Sequence, residues 1–176
     1  MCIKARVRRT TESRIMRKTF LESLSIMAIG CSALLFSVTG CSRAPEAPPK
    51  QVQINADDKM KFDLTAFEAT PGQKISVTLK NVGTTPKFSM GHNFIMLDRT
   101  VNTGNVQTFL DKASVQAAHD YVPPDAKEVL AHTKLLGPNE TDTVTFNAPY
   151  VPGEYLYLCS FPGHYSQGTK GFMTVK

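Results

Sequence analysis

The sequence predicts an all-β fold, a sandwich or barrel of seven or eight short strands with one short helix-containing flap. Three observations predict it. From about residue 51 onward, apolar residues alternate with polar ones over short runs, the period of half-buried strands. Gly and Pro punctuate those runs, most clearly at Pro71-Gly72 and Pro152-Gly153. Only one stretch, within residues 105–119, carries apolar residues at helical spacing. With 176 residues and 41% hydrophobic content, the chain has the length of one domain and enough apolar side chains to build a core without staples.

Residues 1–40 read as a targeting segment. Arg14, Arg17 and Lys18 form a basic start, and an apolar run from about Leu24 to Phe36 follows. That run is short for a membrane span. It ends in Val38-Thr39-Gly40-Cys41, which looks like a bacterial lipobox and implies cleavage before Cys41 and acylation of its thiol. Met16 could start the same segment by itself. Ser42 after the acylated cysteine is compatible with sorting to a Gram-negative outer membrane. Residues 41–50 then form a Pro-rich tether, extended and unable to pack a core. The reading is therefore an exported protein, anchored through Cys41 on the periplasmic or extracellular side, with its globular domain at 51–176.

The charge balance supports that division. Residues 1–40 hold seven of the 20 Lys and Arg and two of the 15 Asp and Glu. The formal charge of +5 thus sits wholly in the leader, and the domain shows no nucleic-acid footprint.

In order along the domain, Met60, Phe62 and Leu64 alternate with polar residues, as do Ile75, Val77 and Leu79. Residues 93–97 form a short apolar run. Val106, Phe109, Leu110, Ala113 and Ala117 recur at helical spacing, giving an amphipathic helix inside a flap over residues 100–127, and Pro123-Pro124 stops its continuation. Val144 and Phe146 alternate between threonines, residues 154–159 follow the Pro152-Gly153 turn, and residues 171–175 close the chain.

One stretch carries chemistry: Cys159-Ser160-Phe161-Pro162-Gly163-His164. A thiolate binds soft or borderline metals, and imidazole suits copper and zinc. Pro162 and Gly163 turn the chain back so that both side chains reach one ion. Cys159 is the only cysteine of the domain, since Cys2, Cys31 and Cys41 lie in or beside the leader. A lone thiol in an exported protein points to a task other than a disulfide. A second imidazole comes best from His92 in Met90-Gly91-His92-Asn93-Phe94. Two His and one Cys are the in-plane ligands of a blue-copper electron-transfer centre. His119 and His132 read as structural.

Together with Ala131-His132-Thr133-Lys134-Leu135-Leu136-Gly137, Thr143-Val144-Thr145-Phe146 and Lys170-Gly171, these motifs resemble the azurins, and look closest to azurin-like proteins such as the auracyanins. The likeness runs from about Val52 to Lys176. It implies an eight-stranded Greek-key cupredoxin sandwich with one mononuclear copper. It implies that Gly91 offers a backbone carbonyl and His92, Cys159 and His164 the in-plane ligands. It makes Asn93 a hydrogen-bond partner that holds the Cys159–Ser160 segment. Departures accompany the likeness. The azurin disulfide has no counterpart, because no cysteine lies near Lys50 or Gly72. The pH-sensitive histidine of some azurins falls near Asn81. Where the family places an axial methionine, this chain has Thr169, with Gln167 close by in sequence. The axial position therefore stays open among Thr169, Gln167, the Gly91 carbonyl and no ligand.

The function implied is one-electron transfer by a Cu(I)/Cu(II) couple, with redox proteins docking near His164 and no small-molecule substrate. No acid/base pair, nucleophile–base pair or open metal position marks an enzyme. The alternative is a lipid-anchored module that buffers or delivers copper.

Overall fold

The computed structural model describes residues 47–176. The leader, the lipobox with Cys41, Ser42 and most of the Pro-rich tether lie outside the described residues. Among the described residues, nine strands form two sheets.

The first sheet has the order β2-β1-β4-β7. Its centre is the parallel pair β1 (Lys50–Asp57) and β4 (Lys74–Asn81), with Val52 opposite Val77 and Ile54 opposite Leu79. The alternation of the sequence turns Val52, Ile54 and Ala56, and Ile75, Val77 and Leu79, into one buried face. β7 (Thr141–Asn147) pairs antiparallel with β4, and β2 (Lys61–Phe62) antiparallel with β1. The second sheet has the order β3-β9-β8-β5-β6, built from β3 (Ala66–Ala69), β5 (Ile95–Leu97), β6 (Val129–His132), β8 (Gly153–Leu158) and β9 (Lys170–Val175). Phe94, Met96, Tyr155, Tyr157, Met173 and Val175 face the first sheet and share one core with it.

The outer face of the second sheet is covered as well. Ile95, Leu97, Leu156 and Leu158 pack against Val106, Phe109, Ala113 and Val122 of the flap. This double burial explains why the last four residues of β8 are all buried, with no polar alternation. The flap carries α2 (Val106–Ser114) and a single 3-10 turn at Ala117–His119. Val106, Phe109 and Ala113 form its inward stripe, with Leu110 half-buried.

Several local expectations are corrected. Met60 is not in a strand: it ends a tight turn at φ 56°, and the strand it was expected to open is only Lys61–Phe62. Ala117 is exposed, because the helix ends at Ser114 before the spacing reaches it. The strand expected from residue 93 begins at Ile95. Two one-turn helices, α1 (Lys87–Met90) and α3 (His164–Gln167), went unread because four residues cannot display a helical period.

The registers give the domain two ends. The start of β1, the turn before β4, the turn before β8 and the end of β9 lie together, since Lys50 pairs with Ile75, Lys74 with Asn147 and Gly153 with Val175. The end of β1, the end of β4 and the end of β8 lie at the other, where Ala56 pairs with Asn81 and Leu158 with Lys170.

Candidate metal centre

Cys159 follows β8 directly, so the strand fixes where its thiol enters the second end of the domain. The chain then turns within the loop that leads into α3. Gly163 takes φ 86°, a left-handed conformation that a Cβ would strain. His164 N–H donates to the Phe161 carbonyl at 3.1 Å, Cys159 N–H to the Thr169 carbonyl at 3.0 Å, and Thr169 N–H to the His164 carbonyl at 3.1 Å. The loop is thus closed on itself by backbone bonds, and Cys159 Sγ lies 3.5 Å from His164 Nδ1.

His92 arrives from the other strand connection. Its N–H donates to the Leu136 carbonyl at 3.1 Å, and Leu136 N–H returns a bond to its carbonyl at 2.7 Å. The stretch around Leu135-Leu136 is therefore the clamp that holds this histidine. Gly91 is needed for the approach: a Cβ there would sit 2.7 Å from the Lys87 carbonyl and 2.8 Å from Leu135 Cγ. The His92 and His164 rings meet with centroids 4.6 Å apart.

His92, Cys159 and His164 bring their ligand atoms within 4.8 Å of one another, and all three residues are buried. Neither ring nitrogen of His92 has a hydrogen-bond partner. Buried polar atoms are ordinarily satisfied, so this cluster is shaped for a group that accepts lone pairs. A thiolate with two imidazoles is a donor set for copper or zinc. Burial pushes the Cys159 thiol up to about 12, although backbone N–H groups of Asn93 and Phe161 act in the opposite sense. Burial lowers His164 to about 4, with the neighbouring His92 adding to the effect. Burial also lowers His92, against the pull of the Asp57 carbonyl and the charges of Asp57 and Asp58. The metal-free site therefore holds a thiol and two neutral imidazoles.

A pH dependence follows. His164 binds a proton near 6.5 when unfolded and near 4 when folded. Between those values the unfolded chain holds more protons, so stability falls as pH falls through the window. The loss amounts to about 3 kcal/mol once pH is below the folded value. Urea unfolding of metal-free protein should show a lower midpoint at pH 4 than at pH 7, and His164→Gln should narrow the difference. An equal gap in both proteins would sink this assignment.

The neighbours of the cluster are tied together. Ser160 N–H donates to Asn93 Oδ1 at 2.9 Å, and Asn93 Nδ2 donates to Ser160 Oγ at 2.9 Å and to the Asp120 carbonyl at 2.7 Å. Ser160 Oγ donates to the Tyr121 carbonyl at 2.7 Å. Asp120 and Tyr121 sit at φ 54° and 59°, a conformation that costs of order 1 kcal/mol for a residue other than glycine. These strained flap residues aim one carbonyl at Ser160 of the ligand loop and one at Asn93, which holds that loop. Nothing in the sequence announced that contact.

Thr169 is fully buried, and its hydroxyl donates to the Met60 carbonyl. Gln167 is exposed at the end of α3 and is not brought to the buried cluster. Two half-buried thioethers lie at this end before Cys159 in the chain rather than after His164: Met90, two residues before His92, and Met60, whose carbonyl receives Thr169. The Met-Gly-His order held the signal for Met90. His119 and His132 are exposed and stand outside the cluster, His132 with Nδ1 3.1 Å from the Thr133 carbonyl.

Residues 50–176 match the family of copper binding proteins described as the plastocyanin/azurin family. Azurin of Pseudomonas fluorescens biotype C is 35% identical over 133 residues, covering 72% of this chain and 98% of that protein. Outer membrane protein H.8 of Neisseria meningitidis serogroup B is 39% identical over 114 residues, covering 63% of this chain and 60% of that protein. Among solved structures, reduced auracyanin of Roseiflexus castenholzii superposes with TM-score 0.63 at 33% identity, covering 74% of this chain and 99% of that one.

Proposed function

Because the chain belongs to the plastocyanin/azurin family of copper-binding proteins, and is a blue copper electron carrier of the azurin kind rather than an enzyme, we propose that it shuttles electrons while tethered by acylated Cys41. Copper held here would supply the one-electron couple. His92, Cys159 and His164 would hold it, with the Gly91 carbonyl as a further donor. The observation that carries this reading is the buried cluster with His92 unpartnered.

The protein's own contribution is rigidity. The Asn93–Ser160 bonds, the Leu136 clamp and the loop closed by Thr169 leave the ligands little room to move. With a metal bound, that rigidity would keep reorganisation on electron transfer small. His164 is only 1% exposed, while Pro162 and Gly163 beside it are open to solvent. A redox partner docking on that rim would reach the ring edge through one thin layer. Copper delivery is disfavoured by the same burial, since an incoming ligand has no exposed donor to displace. The name of the Neisseria relative, an outer membrane protein, supports the tether and a site facing the periplasm or the exterior.

The test is electron exchange against copper transfer. Copper-loaded protein should exchange electrons with a small redox protein far faster than it yields copper to a metal-free acceptor. The reverse order would favour delivery. For the axial position, Thr169→Met replaces a hydroxyl engaged with Met60 by a thioether beside the ligand loop. The visible spectrum and the potential should both shift, the potential downward. An unchanged spectrum would mean that residue 169 does not face the metal, and Met90→Leu would then be the variant to compare.

A further inference from the structure

The end of the domain opposite the metal centre carries an exposed apolar knob. Tyr150 is 80% and Val151 53% exposed, and Pro152 and Pro71 beside them are open to solvent. The knob is not loose. The Tyr150 ring lies over Gly72, so closely that a Cβ there would come within 2.7 Å of it, and Gly72 N–H is bonded to the Ala148 carbonyl at 3.1 Å. The turn is a held shape that presents an aromatic ring and a branched aliphatic side chain to water.

The tether is rooted at this same end. β1 starts at Lys50, beside Ile75 of β4 and therefore next to the Gly72 turn. Lys50 Nζ donates to the Glu68 carbonyl at 2.6 Å, and Lys176 pairs with the Glu68 carboxylate at 2.5 Å. β1 then carries the chain away for eight residues, about 26 Å at strand rise, to the end where His92 and Cys159 lie. Between Cys41 and Lys50 the sequence has only Ser42 to Pro49, a Pro-rich stretch that spans about 25 Å when extended.

We propose that the Tyr150-Val151 knob rests in the headgroup region of the membrane that holds the lipid on Cys41, and that it points the metal centre away from the bilayer. This rests on the tethered reading above. Tyrosine suits the site, with an apolar ring and a hydroxyl that stays wet, the character of side chains at membrane interfaces. Lys50 and Lys176 lie at the same end, both engaged with Glu68, so the apolar pair Tyr150-Val151 carries the contact. A weak contact suffices, because a short tether holds the knob near the surface at an effective concentration of the order of millimolar. The consequence is orientational: the rim around His164 faces the aqueous compartment, where a soluble partner reaches it without crossing headgroups.

The chain has no tryptophan, so a single indole reports its own surroundings. Tyr150→Trp and Phe88→Trp would be made in the full lipidated chain, Phe88 being 84% exposed at the metal end. Each metal-free protein would be reconstituted on phosphatidylethanolamine/phosphatidylglycerol vesicles with or without brominated acyl chains. The Tyr150→Trp emission should move to shorter wavelength and lose most of its intensity with brominated lipid, while Phe88→Trp keeps a water-like emission. Vesicle-bound protein with both indoles equally unquenched, or with Phe88→Trp quenched more, overturns the orientation and leaves the anchor standing. Protein that does not float with the vesicles defeats the anchor and the orientation together. A blue shift of Tyr150→Trp that grows with protein concentration in the absence of lipid would assign the knob to a second copy of the chain instead.

Discussion

Cys159→Ser should abolish the intense visible absorption of the copper-loaded protein, not weaken it. The thiol is the only sulfhydryl among the described residues, and the colour of a blue-copper site arises from its thiolate. A serine hydroxyl in the same place is too weak an acid to ionise and too hard a donor to replace it. The fold should survive, since the side chain shrinks only slightly and the loop is held by the Thr169, Phe161 and Asn93 bonds. Absorption and EPR spectra of wild-type and variant protein titrated with Cu(II) decide it, and a surviving band would remove Cys159 from the site. The same thiol predicts a proton count. With Cys159 near 12 and His164 near 4, copper binding at neutral pH must expel one proton, from sulfur. Apparent affinity should then rise about tenfold per pH unit from neutral pH toward the thiol's value.

Cys41→Ser should move the protein almost entirely from the membrane to the soluble fraction. Each buried methylene of an acyl chain contributes about 0.8 kcal/mol, and one chain gives only marginal binding. The reading therefore requires more than one chain on Cys41, all lost together in the variant. Among the described residues no helix is long and apolar enough to cross a membrane, so the domain offers no spanning helix as a substitute. Fractionation after an alkaline wash is the measurement. Retention of the variant would place the anchor in the apolar run between Leu24 and Phe36. The Tyr150 knob could not hold the protein by itself, because without the tether its effective concentration is lost.

How far the sequence could be read differed from part to part, and the differences are physical. Long strands were legible in β1's partner β4, where Ile75, Val77 and Leu79 keep the two-residue period with one face buried. β8 was legible by its turn alone, because the flap covers its second face and erases the alternation. β3 and β6 were not read: four residues each, half exposed, carry too few apolar positions for a period to show. The turn ending at Met60 looked like strand because its neighbours alternate; the left-handed backbone there is a tertiary choice that lets its carbonyl receive Thr169.

By itself, the sequence determined the chemistry available: one thiol, two histidines in turn-forming motifs, and a threonine where a methionine was expected. Donor type is a property of side chains, and the short loop from Cys159 to His164 limits their separation whatever the fold. Tertiary structure alone decided that His92, far away in sequence, meets them with both nitrogens unpartnered, since that depends on the pairing with Leu136 and the crossing of two sheets. It alone decided that the flap reaches the ligand loop through Tyr121 and its partner Asn93 through Asp120, that the Thr169 hydroxyl is engaged by Met60, and that β1 starts at the far end from the metal centre. Each of these joins residues distant along the chain, and such contacts are set by strand register and packing, which no local pattern encodes.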